Sequence, residues 1–154
     1  MSTIADAMSA IAILAVAIVY GTDLFCALII RPAAAASADS SIADLIGHIH
    51  EFGDRRMPVP GIIGIIATGG LIVLADTTSA RIAATIAVVA LLAWLGIYIR
   101  VSAPINKRLR AAAADHTVPT DARELQQQWD RVIWPRAALQ AVALGGLIIV
   151  IAAG

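Results

Sequence analysis

Asp23 stands inside an apolar run over residues 4–30, one of the few ionisable side chains placed where lipid would surround it. With Arg31 at the boundary and a helical rise of 1.5 Å per residue, its carboxyl lies about 11 Å inside. A carboxylate at that depth must face protein and find a partner. Tyr20 and Ala27, three and four positions away, share its helical face and offer a hydroxyl and a surface for close helix approach. Arg100 and Arg136 reach the same end on later runs. Two kinds of role fit: an ion pair that pins helix register, or a group that moves a proton. Trp129, Arg136 and Gln140, at i, i+7 and i+11, form one stripe that carries a guanidinium and an amide toward protein. Arg136 can hold an anionic oxygen in its planar fork, satisfy Asp23, or snorkel to the interface, and snorkelling suits Arg100 even better.

The densest titratable segment is residues 48–56. On a helix, His50 and Asp54 face together, and a histidine oriented by a carboxylate is a general base near neutral pH. The blander reading is a hydrogen-bonded structural histidine. A metal would need three or four convergent ligands, which are not spelled out, and the spacing His-Glu-x-x-His is absent. Glu51 and Arg55 form an i, i+4 pair. His116 lies in a polar connection and reads as solvated. Trp94 and Tyr98 share a face and read as membrane anchors rather than a ligand platform.

The elements that position these groups follow from composition. Of 154 residues, 60% are hydrophobic and 14% charged, too apolar for a soluble domain of this size. Zero net charge argues against nucleic acid, and the single cysteine, Cys26, removes internal disulfides and Cys-x-x-Cys chemistry. Cys26 reads as a small apolar filler. Spans are expected at about residues 4–30, 58–75, 82–103 and 132–152, in one transmembrane domain. The first lacks preceding Lys or Arg, is long, and is interrupted by Asp23, so it reads as a retained span rather than a signal peptide.

The predicted fold is an all-α, integral membrane four-helix bundle with helical cytoplasmic extensions before spans two and four. The first extension carries Ile42, Leu45, Ile46, Ile49 and Phe52, starts at a Ser41/Asp44 capping box, and breaks at Pro58 and Pro60. The other follows Pro119, with Asp121 and Glu124 as cap and third residue. Pro104 is expected to bend the exit of span three, with Asn106 bonding the backbone freed there. Gly61 with Gly64, Gly69 with Gly70, and Gly145 with Gly146 favour tight contact within or between chains, which leaves homo-oligomerisation open. Ten of the eleven Lys and Arg residues fall in or beside the first and third connections, and only Arg81 in the second. The positive-inside rule places the long connections in the cytoplasm and both termini outside, in the inner (plasma) membrane.

Pro104-Ile105-Asn106-Lys107-Arg108-Leu109, then Trp129-Asp130-Arg131 and Arg136, resemble the four-span family of unknown-function membrane domains grouped with fungal anthrone oxygenases. Tyr20-Gly21-Thr22-Asp23 and Gly53-Asp54-Arg55-Arg56-Met57-Pro58 resemble its bacterial members. The resemblance covers nearly the whole chain. One departure is the run Val132-Ile133-Trp134-Pro135, where many relatives place a polar residue or histidine.

The resemblance implies a small oxygenase without an evident metal or flavin motif, acting on a flat, lipid-soluble phenol. His50 or Asp23 would be the base, and Arg136, with Arg100, would hold the enolate that reacts with oxygen. Tyr20, Asn106, Trp129 and Gln140 complete the expected substrate site. No cofactor is implied; haem, quinone and metal are left open. The alternatives are a proton-coupled transporter using Asp23 and a non-catalytic subunit in which Asp23 and Arg136 lock packing.

Overall fold

The computed structural model describes residues 2–154, and among these every regular element is a helix, with no strand. Five helices follow one another: α1 (Thr3–Ala35), α2 (Asp39–Arg56), α3 (Pro58–Leu74), α4 (Thr78–Ala114) and α5 (Ala122–Ala153). α1, α4 and α5 are each long and apolar enough to cross a membrane. α2 and α3 pass that test only together, joined at a 41° bend. The break falls where Pro58 and Pro60 were expected to place it, because neither ring nitrogen can donate into the preceding turn. α5 is continuous, running through Pro135 as one 32-residue helix.

Close contacts define an antiparallel bundle. Gly64 meets Val16 and Gly70 meets Met8 across α1 and α3, and Gly146 meets Ala83 across α4 and α5. At one end, Thr77 Oγ1 donates to the carbonyl of Ala153 at 2.9 Å, tying the start of α4 to the end of α5. At the opposite, basic end, Arg123 donates to Asp39 Oδ1 (2.8 Å) and to the carbonyl of Ser37 (2.7 Å), and Arg108 to Asp121 Oδ2 (2.8 Å).

Size is distributed as lipid requires. The core of one half is mainly alanine, including Ala12, Ala80, Ala84, Ala87 and Ala143, with Leu71, Leu147 and Val150. The large side chains Leu14, Ile66, Val73 and Val89 point outward, Val73 being 82% exposed. Where surrounding tails are as apolar as leucine, burying bulk gains little, whereas small residues let backbones approach and increase dispersion contact.

Three π-helical turns interrupt the regular winding: Cys26–Ile30, Ile42–Ile46 and Tyr98–Ser102. Two of them lie just before Pro32 and Pro104. A proline ring clashes with the carbonyl four residues back, and a wider turn relieves that clash without breaking the helix. Thus α4 continues through Pro104 to Ala114 as one helix.

Two expected caps differ. The first extension begins at Asp39, ahead of Ser41, so no capping box forms with Asp44. Asp121 is the N-cap of α5 by position, but its carboxylate is taken by Arg108 instead of the helix amides.

Of the glycines singled out by sequence, Gly69 and Gly145 face open space. The tightest approach is at Gly47 in α2, where an added Cβ would lie 2.5 Å from the Leu109 carbonyl oxygen and 2.6 Å from Ala113 Cβ. Gly47→Ala is therefore expected to force α2 from α4 and cost about 2 kcal/mol. Gly145→Ala should be neutral or slightly stabilising, since alanine is the better helix former. Thermal unfolding of the two variants in nanodiscs checks this, and equal midpoints would overturn the packing assignment.

Candidate functional site

The two halves of the apolar core are separated by a polar layer centred on Asp23. Its Oδ1 accepts from Arg136 Nη2 at 2.8 Å, and its Oδ2 accepts from Gln140 Nε2 at 2.6 Å and Trp94 Nε1 at 3.1 Å. Arg136 Nη1 donates onward to Ser102 Oγ at 2.8 Å. Three helices, α1, α4 and α5, are thus joined through one buried carboxylate and one buried guanidinium, each about 95% buried. The rings of Trp94, Tyr98 and Trp129 surround the guanidinium, with centroids 5.9, 5.6 and 5.7 Å from its carbon. Cation–π attraction is strongest where, as here, the cation has lost its water.

A second cluster lies one layer toward the basic end. Asp54 Oδ1 accepts from Tyr98 Oη (2.8 Å) and Asn106 Nδ2 (2.9 Å), while Arg110 stands 3.9 Å from Oδ2. His50 packs its ring on Trp129, centroids 5.4 Å apart, and its Nε2 has no hydrogen-bond partner. Between the clusters is a cavity of about 120 Å³ lined by residues of all five helices, among them Asp23, His50, Asp54, Trp94, Trp129 and Arg136.

Of the residues proposed from sequence, Asp23, His50, Asn106, Trp129 and Arg136 line this cavity, and Gln140 joins them through its bond to Asp23. Two do not. Arg100 is exposed on the lateral surface, where a long cationic side chain can reach the interface, so it neither pairs with Asp23 nor enters the pocket. Tyr20 is half-buried and outside the lining, and its place beside Asp23 is filled by Trp94.

Other assignments change with the geometry. Trp94 and Tyr98 are structural members of the polar layer rather than membrane anchors. Asp54 bonds Tyr98 and Asn106 instead of orienting His50, and Asn106 bonds that carboxylate instead of freed backbone. Arg55 and Glu51 pair as expected at 2.8 Å, and His116 is exposed.

Sequence reading missed Ser102 and the polar role of Trp94 and Tyr98, although the signal is present. Trp94, Tyr98, Ser102 and Asn106 recur at intervals of four. In an α-helix, four residues overshoot one turn by about 40°. The π turn Tyr98–Ser102, closed by wider i→i+5 bonds, absorbs part of that overshoot and keeps the stripe on the pocket.

His50 lies in α2, on the basic side of the break at Met57. Burial pushes its imidazole down to about 4, with the Asp54 carboxylate raising it and the Arg136 guanidinium lowering it further. The ring is neutral at pH 7. A neutral His50 can accept a proton, and Arg136 can hold negative charge beside it.

No family model, no curated protein and no solved structure matches the chain.

Two measurements follow from the pair and the histidine. Asp23→Ala should cost about 3–5 kcal/mol by leaving the guanidinium uncompensated, whereas the double variant Asp23→Leu with Arg136→Met should recover much of that loss. Additive losses in a double-mutant unfolding cycle would show that the pair is not coupled. Because the folded state binds the His50 proton more weakly than the unfolded chain, the stability present above pH 6.5 is lost as pH falls toward 4, by about 3 kcal/mol at the limit. His50→Gln should flatten this part of the unfolding-versus-pH curve. An unchanged slope would remove His50 as its cause.

Proposed function

We propose that this chain is a membrane-embedded, oxygenase-like protein that binds a flat, lipid-soluble phenol and prepares it for attack by oxygen. The observation that supports this reading is a single cavity lined by both a neutral, unpartnered His50 and the ring-caged Arg136. His50 Nε2 takes a proton from an acidic carbon of the substrate. The developing anion beside it increases the affinity of the imidazole for that proton as transfer proceeds. Arg136, fixed in place before the reaction, stabilises the enolate electrostatically.

The enolate carbon then bonds to oxygen and becomes a hydroperoxide. Loss of the second proton on that carbon breaks the O–O bond, leaving a ketone and one water. One oxygen atom enters the product, the other is reduced, and no further reductant is required. Trp94, Tyr98 and Trp129 supply flat walls, and Asp23 serves as a positioning residue that orients the guanidinium.

The asymmetry of ten basic residues against one supports placing the basic end of the bundle in the cytoplasm, both termini outside, and α3 across the inner membrane as the second of four spans, with α2 as its cytoplasmic extension. Among the alternatives, the non-catalytic subunit draws support from the three donors that already satisfy Asp23. A transporter would have to break those bonds in every cycle of protonation.

Oxygen uptake by protein in nanodiscs supplied with an anthrone, whose acidic carbon carries both protons the reaction removes, tests the reading. His50→Gln is expected to lower turnover at least 100-fold while the unfolding midpoint at pH 7 changes little. Arg136→Lys should lower it comparably, since a point charge replaces a planar fork. Wild-type uptake in both variants, or none above background in the wild type, would defeat the oxygenase assignment.

A further inference from the structure

α2 is stitched to one neighbouring helix and not to the other. Toward α4, Asp54 accepts from Tyr98 and Asn106 at 2.8 and 2.9 Å, and Gly47 packs on Leu109. Toward α1, the one side-chain hydrogen-bond contact among the described residues is Thr22 Oγ1 to the Sδ of Met57, at 3.5 Å, where α2 breaks into α3. A hydroxyl carries a single proton, and the same Oγ1 stands 2.9 Å from the carbonyl of Ile18, a better acceptor than a thioether. Met57 therefore closes the seam between α1 and α2 by little more than van der Waals contact.

That seam is an edge of the cavity. Thr22, Ile49, Gly53 and Met57 line the cavity and are half-buried, whereas Cys26 and Trp129, deeper in its wall, are buried. The outer surface beside the seam is apolar, with Phe25 and Ile29 on α1 and Phe52 on α2 each about half exposed. Arg56 lies over the Phe52 ring at 5.1 Å and forms no ion pair across to α1. Thr22 stands nine residues before Arg31, about 13 Å farther along α1, so the seam runs down from the basic end to the depth of lipid tails.

Size gives the seam its importance. The cavity, at about 120 Å³, is smaller than the ~150 Å³ that takes one benzene ring, so a larger guest has to widen it. Least is lost by widening where no hydrogen bond has to break. Methionine is unbranched and turns about three side-chain bonds, which lets it leave a contact and refill it. Gly53, one turn before Met57, puts no side chain in the seam, and an added Cβ there would meet no atom within 4 Å.

We infer that uncharged, lipid-dissolved molecules enter the cavity sideways through the seam between α1 and α2, and that Met57 sets how wide a molecule passes. This rests on the lipid-soluble substrate of the proposed function, and it assigns that substrate a route and the residue that selects it by width.

Cys26 lies in the cavity wall and is the only cysteine of the chain, so its alkylation in nanodiscs, followed by mass spectrometry, reads the entrance directly. Each rate is divided by the rate of the same reagent with glutathione. Uncharged N-ethylmaleimide should label at least tenfold faster than a sulfonated maleimide. Met57→Ala should speed the wide N-pyrenylmaleimide at least tenfold while changing N-ethylmaleimide less than threefold, and Met57→Trp should slow both at least tenfold. Gly53→Phe, which adds bulk where there is space for it, should also slow both while leaving the unfolding midpoint at or above that of the wild type. Equal relative rates for the charged and uncharged reagents, no labelling of the folded protein even in Met57→Ala, or pyrenyl rates unchanged in all three variants overturns the inference. Labelling that depends on Met57 without oxygen uptake would keep this entrance and remove the oxygenase, whereas uptake from an anthrone with labelling indifferent to Met57 would do the reverse.

Discussion

A carboxylate and a guanidinium can reside together inside an apolar bundle only if each satisfies the other and the remaining valences are met by protein. Trp94 and Gln140 complete the acceptors of Asp23 and Ser102 takes a second guanidinium nitrogen, leaving only Arg136 Nε without a partner, and the requirement organises everything around the pair. It sets the register of α1 against α4 and α5, because a one-residue shift of any of them would leave a buried charge without its partner. It also explains the aromatic ring cage, since indole and phenol rings are among the few neutral surfaces that attract a dehydrated cation.

Close helix approach is the second constraint, and it serves the first. Short hydrogen bonds between side chains of different helices need backbones near one another, which the alanines of α4 and the glycines of α3 and α5 allow. The three π turns adjust direction where that packing meets the polar layer. Two of them flank the pocket directly, Cys26–Ile30 just after Asp23 and Tyr98–Ser102 within the stripe that carries both Tyr98 and Ser102. A void of about 120 Å³ remains between these closely spaced helices, beside the ion pair.

The helical class, the three long apolar helices and the break at Pro58 were legible because each rests on local chemistry: run length and proline geometry. Asp23, His50 and Arg136 were legible as groups in need of an explanation, since lipid makes any ionisable residue conspicuous. Asp54 and His50 were misread as partners because i, i+4 spacing places two side chains on one face without saying which neighbour arrives from another helix. Arg100 and Tyr20 were misplaced for a related reason. Depth along a span is readable from sequence, but rotation about the helix axis is settled by packing.

Alone, the sequence determined that the chain is helical, apolar enough to cross a membrane, unable to form an internal disulfide, and strongly asymmetric in basic charge, because composition and short-range spacing govern those properties. Only the tertiary structure decided that Arg136 rather than Arg100 meets Asp23, that Trp94 and Tyr98 turn inward, and that a cavity remains between them. Those outcomes depend on which faces of separate helices meet, and that is set by close packing across residues more than a hundred positions apart.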